Sequence, residues 1–175
     1  MDITLEQLLQ SRDARAARQA ALLKEFPLRT LLCLTVIMPG PEKRSPRSLC
    51  IAQAAVSAVR DAFSPEYEEL RDLETGYEGF FVISCAPGLQ GAAGEAPFLA
   101  VKRVAAALED THPLGRLFDL DVITPDGPVS RSAIGAPERR CLICDRAARL
   151  CMREHRHSYQ ELLSAIDALL NAARP

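Results

Sequence analysis

At 175 residues, 48% hydrophobic and 25% charged, the chain is long enough to bury a core and is not a tail or a linker. A net charge of −2 excludes a globally basic nucleic-acid binder, and 5% aromatic residues without a tryptophan leave few platforms for stacking bases. No basic leader precedes an apolar run, so a cytoplasmic protein without a membrane partner is expected, its six cysteines kept as thiols.

The charge is uneven: residues 66–78 hold six acids and one Arg, residues 139–157 six Arg and two acids. Thr4, with Gln7 three residues on, reads as a cap ahead of Leu5, Leu8 and Leu9. After residues 11–13 a second, alanine-rich helix is expected over 14–26, stopped by Pro27. Arg12, Arg15 and Arg18 share roughly one helical face, where they are either solvated or turned toward an anion. Residues 31–38 are short and apolar and read as a buried strand ending at Pro39-Gly-Pro41. A turn with Lys43, Arg44, Ser45 and Arg47 then opens a helix with Ile51, Ala55, Ala58 and Ala62 on one face. Strand, cationic turn and helix start make a candidate phosphate cradle; a plain polar turn has the same composition, and the Walker pattern is missing.

Residues 66–78 predict an exposed connection with room for a short irregular strand, 79–85 a second apolar strand and 87–97 a small-residue loop expected to be the most mobile stretch. Pro97 suits the first turn of a helix carrying Phe98, Val101, Ala105 and Leu108. After Gly115, residues 117–123 alternate with period two, so Phe118, Leu120 and Val122 face one way and Asp119 and Asp121 the other. Two carboxylates on one strand face repel each other, which makes the pair a candidate Mg²⁺ ligand set; an edge strand with two hydrated Asp is the alternative. Residues 124–127 predict a β-turn and 128–134 a returning strand, which would bring Ser130 and Arg131 near the carboxylates.

Cys141, Cys144 and Cys151, with His155 or His157, have spacing suited to a tetrahedral Zn²⁺. Four protein ligands would make that metal structural. Reduced, partly buried thiols and a nucleophilic Cys–His pair are the competing readings. Cys33, Cys50 and Cys85 lie in or beside apolar elements and are expected in the core. Ser158 and Glu161 cap a closing helix with Leu162, Ile166, Leu169 and Leu170 on one face.

In order, Ser11-Arg-Asp-Ala-Arg-Ala-Ala-Arg-Gln19, Pro39-Gly-Pro41 with Lys43, His112-Pro-Leu-Gly-Arg-Leu-Phe-Asp-Leu-Asp-Val122, Ser130-Arg131, and Arg139-Arg-Cys-Leu-Ile-Cys144 with Cys151 and His157 resemble one family. It is that of the apo-citrate lyase phosphoribosyl-dephospho-CoA transferases. Residues 66–97 match it poorly. The resemblance implies a nucleotidyltransferase-like enzyme that moves a phosphoribosyl-dephospho-CoA group from 2′-(5″-triphosphoribosyl)-3′-dephospho-CoA to a serine of the acyl carrier subunit of citrate lyase, releasing diphosphate. Under that implication Asp119 and Asp121 would hold Mg²⁺, and Lys43, Arg44, Ser45, Arg47, Arg116 and Arg131 would line the triphosphate. His112 or Glu109 would accept the serine proton, and residues 139–157 would dock an acidic carrier, with no nucleic acid involved. The expected fold is a single α+β domain over 1–175, with a mainly antiparallel sheet of about four strands, helices on one face and a Cys-containing helical subregion over 139–175. A non-enzymatic zinc knuckle that binds protein or RNA is the reading from a different class.

Overall fold

The computed structural model describes residues 3–84 and 95–173. The expectations for Cys85 and for most of the 87–97 loop lie outside the described residues. The first helix, α1 (Leu5–Glu25), is continuous, with Thr4 and Gln7 closing a reciprocal capping box. The expected break near residue 11 is absent. Ser11 turns its hydroxyl outward to Thr75, 2.8 Å away, instead of competing for the helical backbone.

Strand β1 (Thr30–Val36) is the centre of the sheet. It pairs antiparallel with β3 (Gly76–Ile83) on one side and β4 (Phe118–Thr124) on the other. Strand β2 (Tyr67–Leu73) flanks β3, and the two-residue β5 (Gly127–Pro128) flanks β4, giving the order β2-β3-β1-β4-β5. The remaining helices are α2 (Pro46–Phe63), α3 (Pro97–Thr111), α4 (Ala148–Arg153) and α5 (Tyr159–Ala172). The α+β class and the antiparallel sheet are as expected, with five strands rather than about four.

Period-two alternation sorts the core into two layers. Leu32, Leu34, Phe81, Ile83, Phe118, Leu120 and Val122 join Ile51, Val59, Val101 and Ile166, contributed by α2, α3 and α5. On the opposite face Leu31, Cys33, Phe80 and Val82 pack against Leu22, Leu23 and Phe26 at the end of α1. Helices therefore cover both faces, not one. The correction follows from α1 itself, whose Leu22 and Leu23, with Phe26 at its C-cap, pack on the second face.

Three further expectations change. Residues 66–78 form the edge strand β2 and its hairpin to β3, and their acids are paired: Glu66 with Arg29, Glu68 with Arg60, Glu69 with Arg18 and Asp72 with Arg44. Charge on an edge strand guards against edge-to-edge pairing, so acidity marks an edge here rather than a connection. After Pro128 the chain leaves the sheet, because Ser130 caps a 3-10 turn over Arg131–Ile134. Cys33 is buried, but Cys50 is exposed on α2 instead of lying in the core.

Candidate active site and metal centre

Asp119 and Asp121 point to the α1 side of the sheet, across from Thr35 and Cys33 of β1. The Thr35 hydroxyl donates to Asp119 at 3.2 Å, and an Arg139 Nη lies 3.3 Å from the other Asp119 oxygen. Asp121 is half-exposed, with Lys102 Nζ 3.6 Å away. Burial, reinforced by the charge of Asp119, pushes the Asp121 carboxyl above its usual range. On the other side of Thr35 stands the buried Glu78, paired with Arg15 at 3.2 Å and left with one unpartnered oxygen. Burial pushes its carboxyl up as well.

Strand β5 is too short to cover the outer edge of β4, and side chains finish it. Arg139 donates to the Phe118 carbonyl at 2.7 Å, Lys102 to the Leu120 carbonyl at 3.1 Å, and the Leu120 N–H donates to Glu109 at 2.7 Å. Only then does a backbone bond appear, from Val129 N–H to the Val122 carbonyl at 2.8 Å. Glu109 is buried and also holds Arg131 at 2.6 Å and Arg139, so both its oxygens are engaged. Its geometry is that of a clamp rather than a free proton acceptor. Arg131 is held in turn by Asp110 at 3.0 Å.

His112 caps the end of α3, its ring 4.8 Å from that of Phe118. Its Nδ1 accepts the Leu114 N–H at 3.1 Å, and burial lowers its pKa, so the neutral ring carries its proton on Nε2. Gly115 follows because the chain runs against the end of α3, where a Cβ would stand 2.2 Å from the Leu108 carbonyl oxygen. That close approach delivers Arg116.

The expected phosphate cradle at 43–47 disperses. Ser45 and Ser48 close a reciprocal cap, and Pro46 has no N–H to offer. Arg44 is held bidentate by Asp72 at 2.6 and 2.9 Å, and Arg47 by Asp167 at 2.5 and 2.9 Å. Lys43 alone stays uncommitted to a carboxylate; its Nζ donates to the Met38 carbonyl at 2.5 Å. Gly40, at φ +74, lies against the Tyr159 ring and fixes this turn on α5. Two cavities flank Arg116, Arg139 and Arg140: one of about 300 Å³ toward Glu109 and Arg131, and one of about 400 Å³ toward Lys43 and the cysteines.

The cysteine segment is a knuckle. The Cys141 N–H donates to the Arg146 carbonyl at 2.7 Å and the Ala148 N–H to the Arg139 carbonyl at 2.8 Å, folding residues 139–148 back on themselves. Helix α4 then supplies Cys151, and His155, in the left-handed region at φ +47, turns the chain so that His157 rather than His155 returns to the cluster. The ligand atoms of Cys141, Cys144, Cys151 and His157 lie within 4.8 Å of one another. Cys144 Sγ is 3.6 Å from Cys151 Sγ and 3.4 Å from His157 Nε2. A tetrahedral Zn²⁺ with its usual bond lengths separates such atoms by about 3.8 and 3.6 Å, so the four residues fit that ion. Burial raises the Cys141 thiol, but N–H donors from Cys144 and Ile143 outweigh it and bring the group down to about 7. This favours the thiolate that a metal needs.

Residues 3–173 match the family described as apo-citrate lyase phosphoribosyl-dephospho-CoA transferase. The chain belongs to this family. A protein of Escherichia coli O1:K1 / APEC bearing that name is 37% identical over 175 residues, covering 97% of this chain and 89% of its own. One from Shigella flexneri serotype 5b (strain 8401) gives the same figures. A Streptococcus pyogenes serotype M18 protein named "Probable apo-citrate lyase phosphoribosyl-dephospho-CoA transferase" is 37% identical over 177 residues, 97% of this chain and 86% of its own.

Membership of a transferase family sets aside the non-enzymatic knuckle as a description of the whole chain. In the transferase, sequence reasoning missed Lys102, Arg139 and Glu78 as neighbours of the Asp pair. A signal for the first existed: Lys102 and Glu109 are seven residues apart, beside Val101, Ala105 and Leu108 on the apolar stripe of α3. Arg139 carried none, since its place beside the cysteines suggested only a basic surface.

Proposed function

We propose that the chain transfers the phosphoribosyl-dephospho-CoA group from 2′-(5″-triphosphoribosyl)-3′-dephospho-CoA to a serine of the apo-acyl carrier subunit of citrate lyase, in the manner of a nucleotidyltransferase. The whole-length family relationship supports this reading. Within the site, the Asp119–Asp121 pair carries the chemistry. The serine oxygen bonds to the α-phosphorus, the bond from that phosphorus to the diphosphate breaks, and the serine proton is released.

Two carboxylates on alternate strand positions are hard oxygen donors suited to Mg²⁺, and such an ion would neutralise the phosphoryl oxygens of the donor. Burial, then the charge of Asp119, raises the proton affinity of Asp121, and a bound cation would offset both. Thr35 and Arg139 orient Asp119, while Lys102 steadies Asp121. Glu109 and His112 act as positioning residues, the first by holding Arg131 and Arg139, the second by fixing the turn into Arg116. Arg44 and Arg47, held by Asp72 and Asp167, drop out of the phosphate-binding set. The Arg-rich segment 139–157 is the docking face for an acidic carrier. No helix among the described residues is long and apolar enough to cross a membrane, in keeping with a reaction between cytoplasmic partners.

Intact-mass spectrometry of the apo carrier, incubated with this protein, Mg²⁺ and the triphosphoribosyl precursor, tests the reading. A mass gain equal to the prosthetic group, with diphosphate released and the reaction stopped by EDTA, is expected. An unchanged mass with a carrier of proven competence removes it.

A further inference from the structure

Among the described residues, six Lys or Arg side chains have no carboxylate within ion-pair distance: Arg12, Lys24, Lys43, Arg116, Arg153 and Arg156. Four of them, Arg12, Lys24, Arg153 and Arg156, are exposed. Lys43 and Arg116 are the exceptions, since both are partly buried and both line the same cavity of about 400 Å³. Lys43 has a single carbonyl acceptor, and Arg116 Nη2 is shielded from solvent with no hydrogen-bond partner. A buried donor without an acceptor is costly unless a ligand supplies one.

Ile37, Met38, Leu142 and Met152 give the same cavity an apolar wall. Two unneutralised cations facing an apolar wall have the chemistry of a site for a phosphate ester with a weakly polar body. Arg139 lines this cavity too, and its guanidinium lies 3.3 Å from Asp119, so one side chain links the cavity wall to the Asp pair. The knuckle forms its far side through Cys141, Cys151 and His157.

We propose that this cavity seats the donor, with Lys43 and Arg116 gripping its phosphates and the Ile37–Met38–Leu142–Met152 wall taking the nucleoside end of the dephospho-CoA moiety. The assignment rests on the transferase reading for the identity of the ligand, and its test needs neither carrier nor turnover.

Isothermal titration of the zinc-loaded protein with 3′-dephospho-CoA, and separately with inorganic diphosphate, provides that test. Dephospho-CoA is expected to bind more tightly than diphosphate. Lys43→Gln and Arg116→Gln should each weaken dephospho-CoA binding by about tenfold or more, with unfolding temperature and zinc content unchanged. Arg116→Lys should recover part of the loss, and Met152→Ala should weaken dephospho-CoA several-fold while leaving diphosphate unaffected. Unaltered affinity in both Gln variants overturns the site. Equal affinity for the two ligands overturns the nucleoside wall. Binding that depends on Lys43 and Arg116, in a protein that never modifies a competent carrier, upholds the cavity and removes the transferase reading instead.

Discussion

Asp121 is charged where charge is unwelcome. Its folded pKa is raised by burial and by Asp119, so between the unfolded and folded pKa values the folded state binds more protons. Its penalty is therefore fully present above the folded pKa and vanishes as pH falls below the unfolded one. The difference in unfolding temperature between Asp121→Asn and the parent, measured without divalent metal, should move in favour of the variant at neutral pH and shift toward the parent on acidification. Under the proposed role of the pair as a metal ligand set, the same substitution, like Asp119→Asn, should cut transfer by about 100-fold or more. Activity that survives both substitutions would falsify the assignment. Glu109 gives the opposite pattern. Breaking its buried pairs with Glu109→Gln should cost about 3–5 kcal/mol in urea unfolding, whereas a proton acceptor would lose turnover at unchanged stability.

At the scale of elements, the knuckle and β4 are one construction. Arg139 precedes Cys141 by two residues and reaches across to Phe118, Glu109 and Asp119. One zinc per chain is expected by elemental analysis. Cys144→Ser should lower the unfolding temperature by about 5 °C or more, because the metal's binding free energy contributes to folding. A zinc-free Cys144→Ser protein of full stability would show that the thiols need no ion. The local parts of this construction were legible in the sequence. The Asp pair follows from period two, and the Cys-x2-Cys spacing singles out the knuckle. His157 over His155 was not legible, because a left-handed turn at His155 makes the choice. At β2 only a short irregular strand was legible, since its acids suggested solvent and only the tertiary fold supplies Arg18, Arg29, Arg44 and Arg60 to pair with them.

Across the whole molecule, sequence reading recovered the antiparallel sheet and the helices that bury Leu32, Phe81 and Leu120, because those rest on periodicity. It predicted a helix over 14–26 but not its place on the second face, because only Leu22, Leu23 and Phe26 at its end pack there. It also missed the side-chain edge of β4, which joins residues far apart in sequence. The acids of β2 are offset by arginines from other elements, whereas residues 139–157 hold six Arg against two acids and keep a net positive charge. Association with an acidic carrier, followed by stopped-flow, should slow as ionic strength rises from about 0.01 to 0.15 M, as charge steering is screened. A rate indifferent to salt would move the docking face away from residues 139–157.

The edge of β4 also has a consequence for biosynthesis. Its last partner, Arg139, is translated 21 residues after Phe118, whose carbonyl it satisfies. A nascent chain can therefore pair β1, β3 and β4 while Asp119 and the edge beside it still wait for the final fifth of the polypeptide. The strands can pair before the face proposed for catalysis has its shape, and a chain that stops short of the knuckle would lack both Arg139 on that face and the Ile166 that α5 adds to the core.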